Sequence, residues 1–373
     1  MIKRFLGHID WILFLAILPI LGAGLVTMNS FSTDSGYFTR QSVWIVISCI
    51  VFLIFSKIDF SFLKRTRVIT TIFFLSCCVL LSLFAIGTVA KGAQSWFSVG
   101  LFSIQPSDPM KIVLILLLSK YFSRRHVEIR NIRHILVSGL YSLIVFLLIV
   151  IQPDFGGAII IFFIWFGMVL VSGISKKHLL AVFLMGAVAF GGLWTFVFQD
   201  YQKQRIISFI SPLADIRGAG YNAYQSTIAV GSGQMLGKGI GYGTQSKLSF
   251  LPEYQTDFIF AAFAEEWGFI GVIILFTLYG IIMWRILLNA MYGSSNFEVL
   301  FALGIAILFM IQFTVNVGMN IGLLPVTGVT IPFMSYGGSH LVTEFAALGI
   351  LMSMRKYRRA THVDTIKNEF IGI

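Results

Sequence analysis

Long apolar runs alternate with short polar breaks over nearly the whole chain. A membrane crossing needs about 20 mostly apolar residues. On that ruler ten runs stand out: roughly 11–29, 41–56, 68–87, 109–122, 134–151, 155–172, 178–198, 257–284, 298–319 and 338–354. The fourth is short. A long polar segment, about 199–257, separates the seventh run from the eighth. The expected fold is an all-α polytopic membrane protein forming a single domain over 1–373. It has about ten transmembrane helices and one large extracytoplasmic loop between spans seven and eight. The first run follows a short charged start, is too long for a signal-peptide core and has no small-residue cleavage site after it. It reads as a retained span.

Composition agrees with this pattern. The chain is 57% hydrophobic and 12% charged, with a mean hydropathy of +0.88. A soluble domain carries roughly twice that charged fraction. The net charge of +11 raises the question of nucleic acid, but the basic residues sit in short loops between apolar runs. With the N-terminus inside, inner segments hold 19 Lys and Arg, whereas the short outer loops hold only Arg40 and Lys91. That asymmetry is the positive-inside pattern, so the span number is even and both termini are cytoplasmic. Nucleic acid is not an expected partner. Cys49, Cys77 and Cys78 lie within apolar runs and show no metal-cage spacing.

This orientation puts 199–257, Asp108, Asp154 and 320–337 on the outer face. No ATP is available there, and the chain has no Walker or Rossmann motif. GKGIGYG lacks the strand–turn–helix context of a phosphate loop. An acid at the mouth of a membrane helix is costly and marks a functional site. Asp257 is such an acid, within the first two turns of span eight, whose start is marked by Pro252 or by Thr256 as cap. A helix-capping role for Asp257 stays open. Glu265 lies two i+4 steps further, on the same broad face about 12 Å along the axis. Glu266 faces elsewhere. For Glu265, a structural ion pair with Lys111 or Arg205 is the alternative to lining a cavity. In QPSDPMK, Ser107 reads as the N-cap of span four, and Lys111 is placed to pair with Asp108 at i+3 or to meet an anionic headgroup. Arg205 suits a diphosphate through its fork of donors, or snorkels to headgroups. Trp96 reads as an interfacial anchor. Between Val299 and Thr343 there is no Asp, Glu, Lys or Arg. Within that stretch, GLLPVTGVTIPFMSYGGS is too rich in Gly and Pro for a regular helix, so it reads as a loop dipping into the protein. There Ser335 and Ser339, with Gly337 and Gly338, present N–H groups and hydroxyls to an anion or pack helices closely.

Three blocks carry a resemblance: QPDFGGA at 152–158, LGKGIGYGTQSKLSFLPEYQTDFIFAAFAEE at 236–266 and GLLPVTGVTIPFMSYGGS at 322–339. In order and content they resemble the SEDS family (shape, elongation, division and sporulation), with the nearest likeness to its RodA branch. The resemblance covers nearly the whole chain. It implies a peptidoglycan glycosyltransferase in the bacterial cytoplasmic membrane that polymerises lipid II on the outer face during elongation. The bond formed is β-1,4, with inversion. Asp257 matches the essential Asp of the TDF motif and is implied as general base. Lys111, Arg205, Asp108, Glu265, Trp96, Ser335 and Ser339 are implied as substrate-binding positions. Gln225 and Ser226 also look like family positions. The family more often has Glu at the place of Asp108 and a small residue at the place of His340.

The resemblance further implies a divalent cation (Mg or Mn) and no organic cofactor. The expected partners are a class B penicillin-binding protein, other elongation-complex membrane proteins and the undecaprenyl-diphosphate-linked glycan. Two other readings stand beside it. A flippase or transporter also has many spans, broken helices and intramembrane acids, and the division-specific FtsW-like branch shares the same motifs.

Overall fold

The computed structural model describes residues 9–31, 36–90, 93–99, 102–124, 132–196, 203–204, 207, 209, 219–248, 250–251 and 253–369. Among the described residues, ten long helices coincide one for one with the ten apolar runs. They are α1 (Trp11–Phe31), α2 (Gly36–Phe55), α3 (Thr66–Ile86), α4 (Ser107–Ser123), α5 (Ile132–Ile151), α6 (Phe155–Val171), α7 (Lys176–Phe196), α10 (Ile259–Met291), α11 (Asn296–Asn320) and α12 (Gly338–Glu369). Among the described residues, seven helices are long and apolar enough to cross a membrane, and α6 is apolar but shorter. The chain is a multi-pass membrane protein.

The long segment between α7 and α10 is not one open loop. It contains α8 (Ala219–Ser232) and the single turn α9 (Thr244–Lys247). α8 packs against both α10 and α11.

A three-stranded antiparallel sheet departs from the all-helical expectation. β1 (Thr88–Ala90), β2 (Ala93–Val99) and β3 (Phe102–Ile104) join α3 to α4. Two of these strands have three residues each, well below the length that sets a visible period. Trp96 lies in β2 opposite Thr88, whose hydroxyl donates to the Trp96 carbonyl at 3.0 Å. Its ring is half-buried.

Helix α11 organises the bundle. It packs against α4, α6, α8, α10 and α12. Charge-free over most of its length, it buries Phe301, Ile305, Leu308 and Phe309. The start of α1 is tied to α10 and α12 by Asp10, which accepts from Arg285 Nη2 at 2.7 Å and Arg355 Nη1 at 3.1 Å. Three stretches remote in sequence thus meet at one carboxylate.

Helix α10 is broken at Gly268, whose φ of 64° and ψ of −167° are not helical. The GKGIGYG segment lies against this break. Lys238 N–H donates to the Glu265 carbonyl at 2.9 Å, and Phe269 N–H donates to the Gln234 carbonyl at 2.8 Å. A Cβ at Gly237 would stand 2.0 Å from the Glu266 carbonyl oxygen. Only glycine permits this approach, because any side chain would meet backbone.

Candidate functional site

Asp257 lies just outside α10, in a turn that precedes the first helical residue, Ile259. This corrects the expected helix start. Thr256 does not cap the helix; its hydroxyl meets Glu253 Oε2 at 3.2 Å. Pro252 lies outside the described residues. The N-cap position is Phe258, which brings no side-chain cap. The Asp257 carbonyl accepts from Asn316 Nδ2 at 3.0 Å and from Asn320 Nδ2 at 3.1 Å. Its half-buried carboxylate faces Gly328, where a Cβ would stand 3.5 Å from Oδ2. Gly328 has φ +75°, so the loop turns closely beside the acid without a side chain in the way.

The stretch between α11 and α12 is non-helical and enters the protein, as its composition predicts. Val329, Ile331, Phe333, Met334 and Ser335 are all buried. Broken backbone at membrane depth is tolerated where protein satisfies it, and that is what happens here. Ser335 Oγ donates to the Thr256 carbonyl at 2.7 Å and accepts from Ile331 N–H at 3.0 Å. Tyr336 N–H donates to the Gln255 carbonyl at 2.8 Å. Gln41 of α2 donates to the Ser335 carbonyl at 3.2 Å.

A second polar group forms where α4, α6 and α12 begin. Lys111 Nζ meets Asp108 Oδ1 at 2.8 Å, with both residues buried. Helix α4 starts at Ser107 rather than after it, and the buried Ser107 hydroxyl does not cap it. His340 and Glu344 of α12 stand against the same pair. Asp154 caps α6 by accepting from Gly157 N–H at 2.8 Å. Gln105 Nε2 donates to Asp154 at 3.0 Å, and the Gln105 backbone exchanges hydrogen bonds with Ser339 Oγ at 3.2 and 3.3 Å. Burial pushes the Asp154 carboxyl above the ordinary carboxylate range, while the Gly157 N–H and the charge of Lys111 oppose that rise.

The re-entrant loop brings Asp257 and Ser335 together. Asp108, Lys111 and Ser339 share the neighbouring cluster. Glu265 is elsewhere: fully buried, it accepts from Lys238 Nζ at 2.8 Å, Gln245 N–H at 3.0 Å and Ser246 Oγ at 3.2 Å. Its ion partner is therefore Lys238, not Lys111, and it ties the 238–246 segment to α10. Trp96 belongs to the small sheet. Arg205 lies outside the described residues. Sequence reasoning missed Asn316 and Asn320, although Gln312, Asn316 and Asn320 form an i, i+4, i+8 polar stripe on an otherwise apolar helix. It also missed Glu344, one turn beyond His340.

The residues do not gather as a metal cage. Among the described residues no cluster of three His, Cys, Asp or Glu is placed to hold an ion.

A helical membrane bundle with a buried re-entrant loop and acids at one end defines the class. The family model FTSW_RODA_SPOVE, described as cell cycle protein, matches residues 5–360. The chain belongs to this family, the SEDS proteins. It is 34% identical to "Peptidoglycan glycosyltransferase MrdB" of Escherichia coli K12, covering 94% of this chain and 95% of that one. It is 35% identical to "Stage V sporulation protein E" of Bacillus subtilis, over 94% and 98% of the two chains. Of solved structures, a chain from "Structural coordination of polymerization and crosslinking by a peptidoglycan synthase complex" superposes with a TM-score of 0.80 at 28% identity, over 94% and 98% of the chains. The rod shape determining protein RodA of Thermus thermophilus superposes with a TM-score of 0.70, also at 28% identity, over 94% and 97%.

Proposed function

We propose that this chain is a peptidoglycan glycosyltransferase that polymerises lipid II on the outer face of the bacterial cytoplasmic membrane, with Asp257 as general base. The glycosyltransferase reading follows from the family and its named relatives. The role of Asp257 rests on one observation. The acid stands outside α10 with its backbone held by Asn316 and Asn320, and its carboxylate is turned toward Gly328 rather than placed at the N-cap.

In this reading Asp257 takes the proton of the acceptor GlcNAc 4-hydroxyl. The freed oxygen attacks C1 of the lipid-linked MurNAc, the C1–O bond to the diphosphate breaks, and undecaprenyl diphosphate leaves with inversion, giving a β-1,4 bond. Charge on the departing diphosphate needs fixed cations or dipoles. Lys111 and Arg205 are assigned that role. Lys111 is held by Asp108 until substrate arrives. Ser335 and Ser339 hold the loop and the start of α12, and Glu265 shapes the outer segment. Trp96 takes the edge of the entry from β2. The divalent cation that the family resemblance implies is assigned to the substrate diphosphate, since the described acids offer no cage for it.

The RodA-like elongation role is preferred over the FtsW-like one on the GTQSKLSFLPEYQTDF stretch. A class B penicillin-binding protein and other elongation-complex membrane proteins are the assigned partners, with both termini in the cytoplasm. The test is polymerisation of lipid II by purified protein, followed on gels. Asp257→Asn is expected to lose at least about 100-fold in rate, the low end for removal of a general base, with unfolding temperature retained. Wild-type polymer from that variant overturns the assignment.

A further inference from the structure

His340 sits where α4 meets α12. Its Nδ1 lies 3.7 Å from Asp108 Oδ1, and its Nε2 lies 2.8 Å from Glu344 Oε1. The second contact has ion-pair distance but not hydrogen-bond alignment. Lys111 holds the same Asp108 oxygen at 2.8 Å. All four side chains are buried.

The charges around this ring can be counted. From α4 come Asp108 and Lys111, and from α12 itself comes Glu344. Asp154, at the head of α6, acts on Lys111, and Tyr279 of α10 feels Glu344. Helix α2 brings Gln41 and Trp44, which are neutral, against Gly337 and Gly338. Helix α11 carries no charge beyond Glu298 at its other end, and β3 carries none. With a neutral His340, three carboxylates face one lysine. Buried charge without a counter-ion is strongly unfavourable, and a protonated imidazole supplies the missing cation.

Glu344 transmits this charge to the outer loop. Its other oxygen, Oε2, accepts the Phe333 N–H at 2.9 Å. Phe333 has φ 60°, a conformation a bulky residue keeps only when its surroundings impose it. Two residues on, Ser335 holds the Thr256 carbonyl, next to Asp257. A continuous path therefore runs from His340 through Glu344, Phe333, Ser335 and Thr256 to Asp257.

We infer that protonated His340 is a positioning residue: by pairing with Glu344 it holds the 331–336 turn that places Asp257. The proposal rests on the reading of Asp257 as base. Loss of the imidazole proton loosens the turn, so the basic limb of the rate profile reports His340.

The experiment measures lipid II polymerisation by the purified full chain from about pH 6 to about pH 10, the range that brackets a perturbed imidazole. It compares wild type, His340→Gln and His340→Lys. Amide hydrogen exchange of 331–336, corrected for intrinsic rate, is read alongside. His340→Gln is expected to lose roughly tenfold in kcat near neutral pH, within the range of coupling between two side chains in contact. It also lacks the wild-type basic limb and exchanges faster at 331–336. His340→Lys retains activity, and its limb moves to higher pH. Wild-type profile and protection in His340→Gln overturn the inference. If that variant does not fold, an unshifted limb in His340→Lys overturns it instead. Exchange at 331–336 is independent of turnover, so an active Asp257→Asn enzyme removes the base assignment while the link from His340 to the turn is still judged.

Discussion

Ser335 Oγ donates to the Thr256 carbonyl at 2.7 Å, so a single hydroxyl of the re-entrant loop fixes the peptide that precedes Asp257. Gln41 reaches the same place from α2, donating to the Ser335 carbonyl and accepting from Gly337 N–H. Backbone groups that a regular helix would satisfy internally are thus satisfied by side chains from three parts of the chain. The loop is tied by hydrogen bonds to the peptide before the acid, and Gly328 passes close to the carboxylate.

Ser335→Ala removes this tie and leaves the Thr256 carbonyl and the Ile331 N–H without the hydroxyl they share. The loss is about 1–3 kcal/mol for groups left unsatisfied in a buried setting. Polymerisation is expected to fall roughly tenfold or more, with Asp257 unchanged. Rate on gels and unfolding temperature in detergent, measured on the same preparation, separate misplacement of the acid from collapse of the fold. Unchanged rate would show that the hydroxyl does not position Asp257.

Asn316 and Asn320 both donate to the Asp257 carbonyl, which makes them a test of shared function. Asn316→Leu or Asn320→Leu leaves one donor in place. The double variant leaves none. Each single change is expected to cost roughly tenfold in rate, and the double change clearly more than the product, because neighbours on one acceptor are not additive. A double-mutant cycle on initial polymerisation rates reads this directly. Strict additivity would mean that the two amides act on separate targets.

The long helices were legible because lipid imposes one demand, a long apolar run, which seven of the described helices meet in full and α6 meets over a shorter length. The re-entrant loop was legible as well, because Gly and Pro without charge cannot float in water or form a helix. The sheet around Trp96 was not: the two strands that flank β2 have three residues each and leave no period to detect. Nor was the partner of Glu265. Helical spacing places Glu265 on a face, but Lys238 reaches it because glycines let the 237–243 segment press against the break at Gly268, and that contact is not periodic. Asn316 and Asn320 were visible as a stripe, yet a polar stripe alone does not say which carbonyl it serves.

The glycines at that contact make the third prediction. Gly237 has φ +81°, and a Cβ there would meet Glu266 backbone at 2.0 Å. Gly237→Ala is expected to destabilise by about 1–3 kcal/mol through overpacking. It also detaches the 238–246 segment from Glu265. Gly231, in α8, has open space around it, so Gly231→Ala serves as control and keeps its unfolding temperature. Limited proteolysis should cut the 238–246 segment faster in Gly237→Ala and not in the control. Equal proteolysis of both would show that the close approach is not what holds the segment.

Asp10 meets Arg285, Arg355 and Asn289, and caps α1 by accepting from Leu13 N–H at 3.2 Å. Burial alone would raise its carboxyl. Hydrogen bonds from Arg285, Leu13 and Asn289, with the Arg285 charge, outweigh burial and hold it below the ordinary value. A carboxyl depressed in the folded state stabilises above its unfolded pKa, about 3.9, and that stability disappears as pH falls through the folded value. Asp10→Asn should therefore unfold at lower temperature than wild type at pH near neutral, and the gap should close in acid, below about pH 4. Thermal unfolding in detergent across that range gives the difference, in which the other acids common to both proteins cancel. The variant also strands Arg285 and Arg355 beside one another without the carboxylate that joins α1, α10 and α12, so the gap at neutral pH is expected to be several degrees. A gap that does not change with pH would place the loss in packing rather than in the charge of Asp10.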